Sequence, residues 1–269
     1  MVHALIFDLD DTLVLEEASA EAAFIETGGL AQAKYGIDPH VLHTAVRKNC
    51  RDLWYGFSSH PYCKIVGISS WEGLWAEFTG PDPDLKALRD WAPTYRLESW
   101  RTALLSYGID DCRLAAELAE TFPRLRRKKH VVYPDTIPIL RELSRNYSLG
   151  LLTNGAPDLQ RLKIEGSGLA GYFDRILISG DIGIGKPDRR IYERILEQLG
   201  ARADTTLMIG NNLTSDIRGA QDVGLRAVWL NRCSRSRDDR IIPDWEISSL
   251  NELPRILSAI PNYGNPNGA

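Results

Sequence analysis

Two carboxylates with one residue between them, Asp8 and Asp10, stand directly after the run Val2-His3-Ala4-Leu5-Ile6-Phe7. Apolar and partly β-branched, that run reads as a buried strand over residues 2–7. In an extended segment, residues i and i+2 point the same way. Asp8 and Asp10 therefore converge just beyond the carboxyl end of the strand, where open α/β sheets place their ligands. Two acids this close repel each other, which a cation or a shared proton relieves. One can act as nucleophile and metal ligand, the other as proton donor. The plainer alternative is a strand followed by an acidic turn and helix cap.

Such a pair needs a sheet to hold it, and the chain after residue 130 supplies the pattern of one. Ile137, Leu140 and Leu143 fall at helical spacing behind Pro134, which suits a first-turn position. A strand follows through Leu152, then a short helix from Pro157 to Glu165 and a strand over Arg175-Ile176-Leu177-Ile178. Ile191, Ile195, Leu196 and Leu199 form one helical face that Gly200 ends. Next come a strand ending at Ile209, a helix from about Leu213, and the strand Arg226-Ala227-Val228-Trp229-Leu230. Strands alternating with helices imply a parallel sheet with right-handed crossovers. With the first strand this predicts an α/β fold: a five-stranded Rossmann-like parallel sheet flanked by helices.

Spacing also exposes an insertion. About 140 residues separate the first strand from the second, whereas a crossover needs roughly a dozen. Something folded must occupy residues 16–129, and Leu85, Leu88 and Arg89, or Leu114, Leu118 and Phe122, give it a helical period. The expected division is a core of residues 1–15 and 130–269 with an α-helical insertion over 16–129.

Four short motifs carry a resemblance. Asp8-Leu9-Asp10-Asp11-Thr12-Leu13 follows the first strand, and Thr153-Asn154-Gly155 follows Leu149-Gly150-Leu151-Leu152. Lys186-Pro187-Asp188 follows Gly183-Ile184-Gly185, and Gly210-Asn211-Asn212-Leu213-Thr214-Ser215-Asp216 follows Leu207-Met208-Ile209. In this order they resemble the motifs of the haloacid dehalogenase superfamily, which is mostly phosphatases. The resemblance covers residues 1–15 and about 130–232 well, and 16–129 only by position, where the family places a helical cap over its active site.

The resemblance implies that Asp8 attacks phosphorus and that Asp10 protonates the leaving oxygen and then activates water. It implies Mg²⁺ as cofactor, with Asp8 and the Asp10 backbone carbonyl as ligands. Thr153, Asn154 and Gly155 would hold phosphate oxygens through neutral donors, though an ordinary turn before a helix explains them too. Lys186 would bring positive charge to the phosphate and to Asp8, where a solvated lysine is the alternative. The last motif departs from the pattern. Gly-Asp is usual, and here Asn211 follows Gly210. An amide oxygen can ligate a hard cation, but one negative charge is lost; Asp216 would bind directly or through water. Without metal, Asn211 reads as a turn former and Asp216 as a first-turn helix acid. Asp11 reads as a turn or cap residue, and Thr12 as ordering the turn.

Bulk properties set the remaining limits. The 269 residues suffice for one or two domains. Charged residues at 25% and hydrophobic ones at 43% describe an ordinary globular chain. A net charge of −4 argues against a nucleic-acid surface. No signal peptide and no membrane-spanning run is read. Cys50, Cys63, Cys112 and Cys233 lack paired ligand spacing, so reduced thiols in a cytoplasmic protein are expected, with a monomer as default. The aromatics Trp54, Tyr55, Phe57, Tyr62, Trp71, Trp75, Phe78, Trp91, Tyr95 and Trp100 are expected mostly in the insertion's own core. Arg96 and Arg101 read as surface residues, with contact to an anionic substrate as the alternative. The run from Arg124 to His130 reads as a solvated helix end, and Pro261–Ala269 as a frayed tail.

The leading expectation is a Mg²⁺-dependent phosphatase of small phosphorylated metabolites, working through an aspartyl-phosphate. A haloacid dehalogenase is the enzymatic alternative, since that branch commonly has Asn in the last motif. Its members lack the second Asp of the first motif, however, because halide leaves without a proton; Asp10 therefore favours phosphate. A member that binds a phosphorylated ligand without turnover is the third reading. Phosphoglycolate, phosphoserine, a sugar phosphate and a nucleoside monophosphate all remain open as substrates.

Overall fold

The computed structural model describes residues 1–236 and 240–260. The chain begins with β1 (Ala4–Phe7), after which residues 16–129 carry five α-helices: α1 (Glu16–Tyr35), α2 (Pro39–Tyr55), α3 (His60–Val66), α4 (Pro83–Leu105) and α5 (Cys112–Arg126). The alternation follows: α6 (Thr136–Leu143), β2 (Ser148–Thr153), α7 (Pro157–Gly166), β3 (Arg175–Ile178), α8 (Ser179–Ile182), α9 (Arg189–Leu199) and β4 (Thr206–Gly210). A π-helical turn over Leu213–Arg218 leads through α10 (Gly219–Gln221) to β5 (Arg226–Leu230), β6 (Trp245–Ile247) and α11 (Leu253–Ala259).

The sheet is parallel throughout, in the order β3-β2-β1-β4-β5-β6. This is the predicted α/β class with one strand more than the five expected. β6 has three residues, two of them only half-buried, too short for a periodicity to show. Residue Phe7 of β1 lies level with Leu151 of β2 and Ile209 of β4. The three segments that follow these strands therefore emerge side by side at one edge of the sheet.

Local signals explain most helix starts. Asp38, Asp82 and Asp188 each accept a hydrogen bond from the backbone N–H two residues on, and Asp111 from the one three residues on. Pro157 opens α7 as expected. Pro134, however, lies outside α6; Asp135 precedes the first helical residue, Thr136. Gly200 closes α9 in the left-handed region, at φ +61°. The predicted helix from Leu213 begins in place but with π geometry, a feature often met at functional sites.

The inserted helices share an apolar cluster that includes Phe24, Trp54, Trp75, Tyr95, Trp100 and Phe122, and Ala156, just before α7, and Leu159 of α7 join it. Separate clusters line the two faces of the sheet. Leu114, Leu118 and Phe122 are all buried, as are Leu85 and Leu88, while Arg89 is exposed. Tyr55 is exposed too, and Phe57, Trp71 and Trp91 are half-buried. No described helix is long and apolar enough to cross a membrane. The Pro261–Ala269 tail lies outside the described residues.

Candidate active site

Asp8 is the first residue beyond β1 and is buried. Its two carboxylate oxygens have separate partners. Lys186 Nζ donates to Oδ1 at 2.7 Å, and Thr12 Oγ1 donates to Oδ2 at 2.9 Å. Thr12 thus holds the acid itself, beyond ordering the turn. Burial pushes the Asp8 carboxyl up to about 7; the nearby Asp216 and Asp10 charges add to this and Lys186 opposes it. Asp11 adopts φ +55°, and its Oδ1 accepts from the Glu16 backbone N–H at 3.1 Å. It caps α1, the role its type suggests.

Lys186 is buried and donates all three ammonium protons: to Asp8, to Asp216 Oδ1 at 2.8 Å and to the Leu152 carbonyl at 2.8 Å. Burial alone would lower its pKa, but Asp216 and Asp8 reverse that and hold the ammonium charged. A solvated lysine is thereby excluded. Asn154 fixes the lysine's backbone, with Oδ1 accepting from Lys186 N–H at 2.8 Å and Nδ2 donating to the Lys186 carbonyl at 2.9 Å. That amide, expected to face a phosphate, is instead engaged in holding the lysine loop. The Gly155 N–H likewise donates to Ser179 Oγ at 2.9 Å. Gly155 has φ +146°, a conformation other residues rarely adopt. Thr153 Oγ1 is buried and accepts from Gln160 Nε2 at 2.5 Å.

Asp216 is buried on the π-helical turn, and its Oδ2 accepts from the Asn212 N–H at 2.9 Å. Asn211 is half-buried. Its carbonyl accepts from the Trp229 indole at 3.0 Å, which pins the backbone of this loop. Asn212, not Asn211, is the turn-forming cap: its Oδ1 accepts from the Thr214 and Ser215 N–H groups at 2.9 and 3.0 Å.

Asp10 has two partners that sequence reasoning missed, both on α7. Lys163 Nζ lies 3.1 Å from both of its oxygens, and Gln160 Nε2 donates to Oδ2 at 2.9 Å. Lys163 is buried and also reaches Glu72 Oε1 at 2.8 Å and Glu16 Oε1 at 3.3 Å. Burial alone would lower its pKa; Asp10, Glu16 and Glu72 together raise it instead. The one sequence signal was Gln160 and Lys163 sitting on the buried side of the predicted helix beside Leu159 and Ile164.

The basic run also needs correction. Arg126 is fully buried, pairs with Glu16 at 2.5 Å, and lies over the Trp75 ring at 4.4 Å. It is internal because a buried carboxylate needs a paired cation. Arg127 pairs with Glu77, and Lys129 with Glu26. Arg96 donates to the Ala76 carbonyl and Arg101 faces Glu98; neither bonds a residue of the candidate site.

The oxygen donors at this sheet edge suit a hard cation. Asp8 and Asp216 meet through Lys186, and Asn211 stands in the loop just beyond β4. Burial, with the Asp216 charge added to it, raises the Asp8 carboxyl, and a cation would relieve that crowding. Each carboxylate oxygen has lone-pair capacity beyond its one strong donor. Among the described residues, no group of three or more His, Cys, Asp or Glu side chains is arranged to hold a metal. A site here would accordingly draw on an amide and a backbone carbonyl as well as two acids.

A family model for haloacid dehalogenase-like hydrolases matches residues 2–224. The chain belongs to that family. Among curated relatives of this hydrolase, the phosphoserine phosphatase of Thermus thermophilus is 39% identical over 250 residues, 93% of this chain and 96% of that protein. The pyrimidine 5'-nucleotidase YjjG of Escherichia coli is 34% identical over 60% of this chain and 69% of its own. Two solved structures share the fold. The magnesium-bound Bacillus subtilis HAD-hydrolase YfnB has a TM-score of 0.64 at 24% identity, covering 95% of this chain and 98% of its own. A 2-haloacid dehalogenase from Pseudomonas syringae pv. Tomato has a TM-score of 0.61 at 28% identity, covering 96% and 99%. The family and fold expected from the sequence are thereby borne out, and the curated relatives are named as the class of enzyme expected, phosphoric monoester hydrolases.

Proposed function

We propose that this hydrolase cleaves small phosphate monoesters through a covalent aspartyl-phosphate on Asp8. The carrying observation is the pairing of two acids in different settings. Asp8 is buried against Lys186 and Thr12, whereas Asp10 is held separately by Gln160 and Lys163. An Asp8 oxygen attacks phosphorus as the bond to the leaving oxygen breaks, and Asp10 delivers a proton to that oxygen. Asp10 then takes a proton from water as the water attacks phosphorus and the Asp8 carboxylate departs. Lys186 offsets charge at Asp8 through both steps, and Asn154 keeps its backbone in place.

Asp8, the Asp10 carbonyl, Asn211 and Asp216 are the groups we assign to Mg²⁺, which the YfnB structure also contains. Bound there, the cation would neutralise phosphoryl charge. Residues 1–15 and 130–269 form the catalytic unit in this reading. Residues 16–129 form a cap that selects the substrate and excludes water. The substrate is a diffusible metabolite, not nucleic acid or lipid, and the setting is a cytoplasmic monomer.

A dehalogenase reading is favoured by Asn211 and by the Pseudomonas structure. It leaves Asp10, with its dedicated donors, without a task, because halide departs unprotonated. The test is a panel containing phosphoserine, phosphoglycolate, a sugar phosphate, a pyrimidine nucleotide and a 2-haloacid, each with Mg²⁺. Phosphate release from at least one ester and no halide release is expected. Halide release alone would overturn the proposal.

A further inference from the structure

We infer that Gln160 and Lys163 are positioning residues for Asp10, forming a two-point clamp that fixes the direction of its proton transfer. This rests on the reading of Asp10 as the general acid. The two side chains lie three apart on α7 and so share a face. Between them they donate to both Asp10 oxygens: Lys163 at 3.1 Å to each, and Gln160 at 2.9 Å to Oδ2. Asp10 is itself partly open, with 25% of its side chain accessible. An unclamped carboxylate in that position would sample several rotamers.

Both clamp residues are anchored in turn. Gln160 Nε2 also donates to Thr153 Oγ1, at the end of the neighbouring strand. Lys163 is drawn from the other side by Glu72 and Glu16. Glu72 is aimed by Ser69, whose N–H and Oγ donate to Oε2 at 3.0 and 2.8 Å, and Glu16 is held by Arg126. Lys163 is 1% exposed, and burying a cation is costly unless it is fully paired. Tying the insertion to the sheet would need only Lys163 with Glu16 and Glu72. Inclusion of Asp10, with a second donor of its own from Gln160, is what a purely structural role leaves unexplained.

The test uses the full chain and single-turnover phosphorylation by an alkyl phosphate and by nitrophenyl phosphate. An alkoxide needs a proton to depart and a nitrophenolate hardly does. Misplacing the acid should therefore lower the alkyl-to-aryl rate ratio. We expect Lys163→Met to lower that ratio on the order of 10²-fold and Gln160→Leu about tenfold, with Lys163→Arg restoring most of it. If Lys163→Met fails to fold, Gln160→Leu, which removes no charge, carries the test alone. An unchanged ratio in the folded variants, with Asp10→Asn still slowing the alkyl ester far more than the aryl one, overturns the clamp and leaves Asp10 as acid. An equal loss for both esters in Asp10→Asn overturns the acid assignment, and the clamp with it.

Discussion

A methyl group added at Gly210 would stand 2.4 Å from Asp216 Oδ2 and 2.5 Å from its Cβ and Cγ. The missing side chain at the end of β4 is thus the space in which Asp216 lies. Gly210→Ala should displace that carboxylate and loosen Lys186, which donates to it. We expect kcat/KM to fall on the order of 10²-fold and stability to drop by about 1–3 kcal/mol. Steady-state kinetics and denaturant titration check both. Activity within twofold of the parent would mean that Asp216 need not sit where it does.

Asn211→Asp should tighten Mg²⁺ binding and move the metal optimum to lower concentration. The change restores one negative charge among oxygen donors, and affinity for hard cations rises with ligand charge, up to the limit set by like-charge repulsion. Mg²⁺ titration of the rate in both proteins reads the half-saturating concentration. No shift would place residue 211 outside the metal's reach.

The raised Asp8 carboxyl makes a signed pH prediction. Its folded pKa, about 7, exceeds that of an unfolded carboxylate. Its stabilising contribution is therefore complete below the unfolded value and is lost as pH rises through about 7. In chelator, the melting temperature should fall between pH 5 and pH 8 for the parent and fall less for Asp8→Asn. Mg²⁺ favours the ionised form, so it should offset this loss and move the acid limb of activity to lower pH. A limb that ignores Mg²⁺ would separate the cation from Asp8.

The sheet and the catalytic loops were legible because a buried parallel strand writes itself as a short apolar run, and the acids, Thr153 and Asn211 follow such runs directly. Lys186 was legible only through its motif. The Asp10 clamp was not legible, because Lys163 and Asp10 meet across 153 residues of chain. Its place on the apolar side of a short helix, beside Leu159 and Ile164, is the one local sign, and it does not name the three acids that Lys163 meets. Arg126 looked like part of a basic helix end and is instead internal. Asn154 carried the right position with a different set of partners: its amide serves the Lys186 backbone. β6 escaped because three residues at the sheet edge are too few to show a period.

Covalent catalysis by Asp8 is tested most directly by rapid acid quench during turnover of an ester that the panel identifies, followed by peptide mass mapping. One phosphoryl group should appear on the peptide containing Asp8 in the parent protein, and none in Asp8→Asn, whose turnover should fall by several orders of magnitude while its circular dichroism is unchanged. A parent protein that turns over without labelling that peptide, together with an Asp8→Asn variant within about tenfold of parental activity, would contradict the nucleophile assignment.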